Sequence, residues 1–400
     1  MTTVGSTLMQ QRGSLAVLPS TELDPESSGG APAVVQSIGG QASSEQVDFF
    51  SMSRQEFAEF LKAKFGLPAF RAQQIFSWVY RKNVEDIEAM TDLSAELRAQ
   101  LATVLRFPRA PWRDRQISSD GTRKYLFELD SGALIESVFI KQRNLKAGTA
   151  RNTLCISSQV GCGMGCAFCR TATMGYQRHL SASEIVRQVR GALHDAVEFG
   201  DTFQNIVFMG MGEPLHNLKN VVRAIQVLRD SFGFGLGGRK ITVSTSGLVP
   251  AIKKFGAANL DVNLAVSLNA TTDEVRDQVM PINKTFPLQE LLGCLKEFPL
   301  SPRKYITFEY VMLAGVNDTP ADLERLPALM RGIRSKVNLI PYNSNAGLGF
   351  TAPSKDVIDR WYRRLMQQGI NATIRWSKGP DIDAACGQLA TETRLKNRAA

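Results

Sequence analysis

Three cysteines in one short loop have the most distinctive chemistry in the sequence. The run Cys162-Gly163-Met164-Gly165-Cys166-Ala167-Phe168-Cys169 spaces its thiols by four and then three residues. Thiolates are the usual ligands of iron–sulfur clusters, and three of them can hold three irons of a [4Fe–4S] cube. The glycines let the backbone wrap closely around such a group. We predict one [4Fe–4S] cluster per chain, bound by Cys162, Cys166 and Cys169.

A structural zinc site is the alternative for these thiols. Such a site normally uses four ligands, usually in two paired halves. The sequence has no matching second CxxC, and its three histidines, His179, His194 and His216, are scattered. The cluster is therefore the favoured interpretation. Three protein ligands leave one iron open, which indicates catalysis rather than a purely structural role.

Strands and helices alternate from Thr153 onward. This alternation predicts a parallel sheet with right-handed crossovers, and six units fit a partial (β/α)6 barrel better than a full barrel of eight. The predicted strands are 153–160, 205–209, 240–245, 262–268, 305–312 and 336–341, followed by a final strand at 371–377. The predicted helices are 181–198, 217–231, 248–256, 287–297, 321–333 and 354–368.

Unusual residues follow five of these strands. The cysteine loop follows the first strand, and Gly210-Met211-Gly212-Glu213-Pro214 follows the second. Ser244-Thr245-Ser246-Gly247, Ser267-Leu268-Asn269 and Pro341-Tyr342-Asn343 follow the third, fourth and sixth. Barrels carry their active sites at the carboxyl ends of their strands. We therefore expect one site at that rim.

Four further regions surround the predicted barrel, which spans 151–378. Residues 1–47 are rich in Ser, Gly, Gln, Thr and Pro, which predicts a disordered extension. Residues 48–108 contain three short amphipathic patterns, beginning after Ser53, at 71–82 and after Leu93, and predict a small helical RNA-binding accessory domain. Residues 109–150 are interpreted as a basic linker and a β-hairpin, with strands at 125–129 and 134–140. Residues 379–400 form a loop and tail that carry Cys386.

The charge of the chain suits a polyanionic partner. Its formal net charge is +9 and its pI is about 9.3, and lysines and arginines that neutralise phosphates release counterions. A basic enzyme with no nucleic-acid partner fits the charge equally well. The excess is concentrated in three stretches: Arg106, Arg109, Arg113, Arg115, Arg123 and Lys124; Lys141, Arg143, Lys146 and Arg151; and Arg360, Arg363, Arg364, Arg375 and Lys378.

Several classes of protein are disfavoured by composition. No apolar run is long enough to span a membrane, and we see no secretory signal at the amino terminus. Six cysteines in a long chain without such a signal are unsuited to a disulfide framework. We therefore expect a cytoplasmic protein that does not bind membranes. We also expect it to be a monomer.

The CxxxCxxC loop, with Phe168 before the last cysteine, resembles that of the radical S-adenosylmethionine (SAM) superfamily. The resemblance implies that the open iron binds the amino and carboxylate groups of SAM and that electron transfer cleaves SAM to a 5′-deoxyadenosyl radical. Gly212 and Glu213 resemble the glycine–glutamate motif beside the SAM amino group. The other positions that match SAM-lining residues are Ser244, Ser267, Leu268, Asn269 and Asn343.

The remaining thiols make the resemblance more specific. A lone cysteine is usually a small buried residue, and we assign that role to Cys294. By contrast, Asp-Ile-Asp-Ala-Ala-Cys-Gly-Gln-Leu around Cys386 and Ser-Ser-Gln-Val-Gly-Cys before the cluster loop resemble the bacterial dual-specificity RNA methyltransferases that make 2-methyladenosine. The match runs from about Phe57 to the tail. It departs from the family at Asn269, where histidine is common, and at Lys378-Gly379-Pro380, where an Arg-Gly-acidic run is common.

This resemblance implies a two-stage reaction that consumes two SAM molecules. One SAM methylates Cys386, and the radical from the second takes a hydrogen from the S-methyl group, so that a methylene radical adds to carbon 2 of adenine. Glu136 matches the base that removes the carbon 2 proton; the strand pattern alone is equally compatible with an exposed carboxylate. Cys155 then attacks the sulfur of Cys386, which releases the methylated RNA and leaves a disulfide.

The implied substrates are 23S rRNA and tRNA, at the adenosine 3′ of the anticodon, with flavodoxin or ferredoxin as the kind of electron donor. Two alternatives stay open. The related antibiotic-resistance enzyme methylates carbon 8 of the rRNA adenine with the same cysteine motifs. A non-catalytic RNA-binding protein with a structural cluster is a different class, against which the open iron and the paired free thiols argue.

Overall fold

The computed structural model describes residues 46–109, 112–142, 151–345 and 347–391. The predicted disordered extension, up to residue 45, lies outside these ranges, as do Arg143 and Lys146 of the second basic stretch. No helix within the described ranges is long and apolar enough to cross a membrane. The helices are α1 (Arg54–Phe65), α2 (Phe70–Phe76), α3 (Ala95–Val104), α4 (Ala182–Glu198), α5 (Leu218–Arg229), α6 (Val249–Ala257), α7 (Asp273–Val279), α8 (Leu288–Lys296), α9 (Pro320–Met330) and α10 (Lys355–Gln367).

A small helical unit precedes the barrel. Its first helix, α1, begins after Ser53, whose hydroxyl accepts a hydrogen bond from the Glu56 backbone N–H while the Glu56 carboxylate accepts one from the Ser53 N–H. This capping box satisfies two N–H groups that have no partner within the helix. The ring of Phe49 packs edge-on against Phe57, with centroids 5.0 Å apart. The aromatic side chains of this unit are continuous with the main core, because Tyr80 packs against Phe234 with ring centroids 5.1 Å apart.

Two features of this unit differ from the predicted helices. The predicted helix 71–82 is observed as α2 followed by one π-helical segment, Ser77–Arg81. The third helix ends at Val104, because Leu105 pairs in parallel with Val47 instead of continuing the helix. These residues form the strands β1 (Val47–Asp48) and β2 (Leu105–Arg106).

One ten-stranded sheet forms the main framework, and it confirms the predicted α/β partial barrel. Its order is β14-β13-β12-β11-β10-β9-β6-β5-β4-β3. The run from β6 to β14 is parallel throughout, whereas β5, β4 and β3 continue the sheet beyond β6 in antiparallel fashion. Its strands are β3 (Trp112–Ile117), β4 (Arg123–Glu128), β5 (Leu134–Ile140), β6 (Thr153–Cys155), β9 (Asn205–Phe208), β10 (Ile241–Thr245), β11 (Asn263–Ser267), β12 (Ile306–Met312), β13 (Ser335–Pro341) and β14 (Ala372–Ile374).

Two sequence interpretations are corrected by the observed strands, and one helix was not predicted. Part of the predicted basic linker is the edge strand β3, where the exposed charged residues Arg113 and Asp114 conceal the strand pattern. The predicted strand 153–160 ends at Cys155 as β6, and Gln159–Gly161 forms a separate strand, β7, paired with β8 (Tyr176–His179). The short helix α7, capped by the Thr272 hydroxyl, was not predicted.

Much of the first basic stretch is paired inside the protein. Arg123 is buried and lies 3.2 Å from a carboxylate oxygen of Asp195 and 3.0 Å from one of Asp201. Arg115 also contacts Asp195, and Lys124 lies 3.6 Å from Glu136. The pairs with Asp195 hold β3 and β4 against α4, and Lys124 joins β4 to β5. These residues are not a free phosphate-binding surface.

Candidate active site

The β7–β8 hairpin fixes the start of the cysteine loop. The Cys162 backbone N–H donates to the carbonyl of Gly175, which follows the loop, at 3.0 Å. Gly161 has a φ of +72°, and a Cβ at this position would lie 1.8 Å from the Gly175 oxygen. Only glycine combines this conformation with so close an approach. At the far end of the loop, the Arg170 N–H donates to the Gly387 carbonyl at 2.8 Å.

The three loop thiols line one cavity of about 160 Å³ at the carboxyl ends of the barrel strands. Burial, together with the neighbouring Cys169 and Glu213, raises the pKa of Cys162 to about 12. Burial likewise raises the pKa of Cys166 and Cys169. Thiols in this setting need bound cations to become thiolates, and the irons of a [4Fe–4S] cube supply them. Three thiols on the wall of an open cavity fit the predicted cluster.

Glu213 joins two loops beside the thiols. Its buried carboxylate accepts hydrogen bonds from the backbone N–H of Leu215 at 3.0 Å and of Ser246 at 2.7 Å. Burial raises its pKa, and these two bonds oppose that rise. The preceding Gly212 has a φ of +100°, and a Cβ there would lie 2.5 Å from the Cβ of Gln159. The Gly-Glu pair is therefore set rigidly into the cavity wall.

The predicted SAM-lining positions divide into two groups. Ser244, Ser267, Asn269 and Asn343 all line the cavity of the three thiols. Leu268 does not line it; its side chain is fully buried in the core. Leu268 therefore matches the family motif because it lies at the end of β11, and its side chain does not contact the cavity.

Asn269 has its own structural role in the rim. It adopts a φ of +55°, a conformation that asparagine tolerates better than most residues. Its side-chain oxygen accepts the Val311 N–H at 2.8 Å, and its amide nitrogen lies 3.2 Å from the Met280 sulfur. The asparagine thereby tightens the junction of β11 and β12, besides facing the cavity.

Arg276 holds two rim loops together, those that follow β10 and β11, and was missed by the sequence analysis. It is fully buried in α7, and its guanidinium donates to the carbonyls of Ser246 at 2.8 Å, Ser267 at 3.1 Å and Leu268 at 3.0 Å. A single arginine gives no sequence signal for such a role. The capping residue Thr272 could have revealed the helix α7, but not the contacts of Arg276.

Cys386 lies where the cluster cavity meets a second cavity. Of the thiols in the described residues, Cys386 alone lines both spaces, whereas Cys155 lines the second one. Both are free cysteines, so the disulfide that the resemblance implies is not present in this state. The Asn343 amide donates to the Cys386 carbonyl at 3.2 Å. Burial raises the pKa of Cys155 to about 12.

Arg375 is the charged neighbour of this thiol pair, and sequence reasoning placed it only in a basic stretch. It lines both cavities, 4.0 Å from the Glu309 carboxylate and 3.3 Å from the Met209 sulfur. The negative charge available at Cys386 is the main cause that raises the pKa of Arg375. The guanidinium is therefore placed to stabilise a thiolate.

Glu136 is buried on β5, which excludes the exposed-carboxylate interpretation. Its Oε1 lies 3.6 Å from the Lys124 amine, and its Oε2 accepts no hydrogen bond from the described residues. Burial raises its pKa to about 7, and the charge of Lys124 opposes the rise. It lines a small space shared with Arg170 and Gln388, separate from the cavity of the cluster thiols.

The fold and the three-thiol loop define a radical SAM enzyme. Residues 156–326 match the Radical SAM superfamily, and residues 47–106 match the ribosomal RNA large subunit methyltransferase N-terminal domain. The crystal structure of a radical SAM methyltransferase from Sphaerobacter thermophilus is similar, with a TM-score of 0.77 and 42% identity. The similarity covers 85% of this chain and 98% of that one.

Curated relatives give the particular family. Proteins named dual-specificity RNA methyltransferase RlmN from Geotalea uraniireducens and Geobacter sulfurreducens are each 49% identical to this chain. Both alignments cover 86% of this chain, and they cover 97% and 92% of the two relatives. The chain therefore belongs to the RlmN family of radical SAM RNA methyltransferases. Enzymes of this type use a [4Fe–4S] cluster and SAM, which confirms the predicted cofactors.

Proposed function

We propose that this chain methylates carbon 2 of adenine in 23S rRNA and in tRNA, at the adenosine 3′ of the anticodon. The observation that carries the proposal is the position of Cys386, at the junction between the cavity of the three cluster thiols and the cavity that contains Cys155. A sulfur placed there can receive a methyl group on one side and deliver it to a base on the other. We further propose that it works as a cytoplasmic monomer with a flavodoxin- or ferredoxin-like electron donor.

The protein groups divide this work. When bound, the cluster and SAM together supply an electron and a carbon-centred radical. Cys162, Cys166 and Cys169 hold the cluster, while Ser244, Ser267, Asn269 and Asn343 line the space for SAM beside Glu213. Cys386 accepts the methyl group through its sulfur, and Arg375 lines the same two cavities. Glu136 accepts the carbon 2 proton.

Cys155 is the proposed resolving thiol. Its burial makes it a weak nucleophile until a reaction partner arrives, which suits a group that acts last. The Cys155→Ala variant is expected to form the covalent Cys386–RNA adduct and to retain it, approaching one RNA per cluster-loaded chain. Denaturing gels of the purified variant with and without ribonuclease measure that adduct. A variant that releases 2-methyladenosine at the rate of the unaltered enzyme would exclude this role.

Nucleoside mass spectrometry tests the function itself. Separated rRNA and tRNA from cells with and without the gene are digested and compared for 2-methyl- and 8-methyladenosine. We expect 2-methyladenosine to disappear from both RNA classes in the deletion strain and to return with the gene. Loss of 8-methyladenosine instead would favour the carbon 8 alternative, and unchanged methyladenosines would exclude both.

A further inference from the structure

A half-exposed aromatic side chain lies on the wall of the Cys155–Cys386 cavity. Trp376 follows β14, the edge strand of the sheet, and 51% of its surface is exposed. No other aromatic ring of the described residues packs against its indole. Burying an indole is strongly favourable, so an exposed one beside a reactive thiol indicates a ligand contact.

The charge of the same cavity identifies the chemistry of that ligand. Among the residues that line it, the only acid is Glu309, which already lies 4.0 Å from Arg375. Proteins that bind unpaired RNA combine positive charge with exposed aromatic rings, because the cations contact phosphates while a ring stacks on a base. The cationic residues of this wall are Arg239, Lys240, Lys336, Arg375 and Lys378.

The backbone on both sides of Trp376 is fixed relative to Cys386. Arg375 donates its backbone N–H to the Leu339 carbonyl at 2.8 Å. The Ser377 hydroxyl hydrogen-bonds to the side chain of Asn343, whose amide donates to the Cys386 carbonyl at 3.2 Å. A base stacked on the indole would therefore be held in register with the reactive sulfur.

We propose that Trp376 stacks on the nucleotide next to the target adenine and holds the strand while that adenine reaches Cys386. The inference rests on the proposed function. An enzyme that acts on a base atom must take the base out of its stack, so the neighbouring base loses a stacking partner. The indole replaces that partner, and the basic wall holds the flanking phosphates.

Alanine and phenylalanine substitutions test the stacking. Trp376→Ala is expected to weaken the binding of a fluorescein-labelled RNA hairpin containing the substrate adenosine by about 10-fold, within the range for one base–aromatic contact. KM for RNA should rise in parallel, while RNA-independent 5′-deoxyadenosine formation stays unchanged. Trp376→Phe should restore most of the affinity. Tyr305→Ala is the matched control, because Tyr305 is 47% exposed but does not line the cavity.

Salt dependence separates stacking from charge. Trp376→Ala should leave the slope of log affinity against log salt unchanged, whereas Lys336→Ala should reduce its magnitude by about one. Unchanged RNA binding and KM in Trp376→Ala would overturn the inference. So would a loss of RNA affinity that Trp376→Phe does not restore, or one accompanied by a loss of 5′-deoxyadenosine formation. If the unaltered enzyme makes no methyladenosine, the proposed function fails; if it does and Trp376→Ala matches it, only the stacking role fails.

Discussion

The Cys386→Ala variant is expected to bind its cluster and cleave SAM but to transfer no methyl group to RNA. Cys386 is the thiol of the described residues that faces both the cluster cavity and the cavity of Cys155. Alanine has no atom that can accept a methyl group, so the reaction stops before any adduct. Methylated adenosine should fall to the level of a no-enzyme control.

Cys294→Ala is the matched control for this experiment. Cys294 is buried in α8 with its sulfur 3.9 Å from the Val249 carbonyl, and it lines neither cavity. Both variants are assayed anaerobically for iron, sulfide, 5′-deoxyadenosine and protein-bound label from methyl-labelled SAM. We expect Cys294→Ala to retain all four signals and Cys386→Ala to lose only the protein label. RNA methylation that persists in Cys386→Ala would refute the carrier role.

The parts of the site that consist of short runs of consecutive residues could be predicted from the sequence. The cysteine loop and the polar turns after the strands are short local patterns, and the alternation of strands and helices places such turns at one rim. The same reasoning fails for side-chain direction at the end of a strand. Leu268 matches a motif position, yet its side chain belongs to the core.

Residues whose roles depend on distant partners were not predictable. Arg276 gains its role from carbonyls of two loops, and Arg375 from the thiol of Cys386 and the distant thiol of Cys155. Both look like ordinary basic residues when read along the chain. The edge strand β3 was also missed by the sequence analysis. A strand of an antiparallel sheet that is covered on one face can carry charged residues on the other, so that its pattern resembles that of a linker.

The sequence left two interpretations of Glu136 open, and burial excludes the exposed carboxylate. Because the raised pKa of about 7 places its titration near neutrality, the carboxylate becomes the dominant form as pH rises through 7. The rate of RNA release should therefore increase with pH across that value. Glu136→Gln should reduce the rate on the order of 10²- to 10⁴-fold, the usual contribution of a general base, and remove this pH dependence.

Lys124 makes the prediction sharper. Its amine lies 3.6 Å from Glu136 and lowers the carboxyl pKa against the effect of burial, with Arg170 acting in the same direction. Lys124→Met should therefore move the midpoint of the pH profile upward, and Lys124→Arg should largely restore it. The other charged groups that line this small space, Asp114 and Asp383, are unchanged in these variants.

Deuterium at carbon 2 of the RNA adenine identifies the step. The adduct trapped by Glu136→Gln should keep the deuterium, whereas the adduct trapped by Cys155→Ala should have lost it, because proton removal precedes attack by Cys155. Single-turnover reactions at several pH values, followed by mass spectrometry of the adduct, measure both quantities. If Glu136→Gln loses the deuterium at the normal rate, another group is the base. If the rate of RNA release by the unaltered enzyme does not change with pH, the ionisation of Glu136 does not control the reaction.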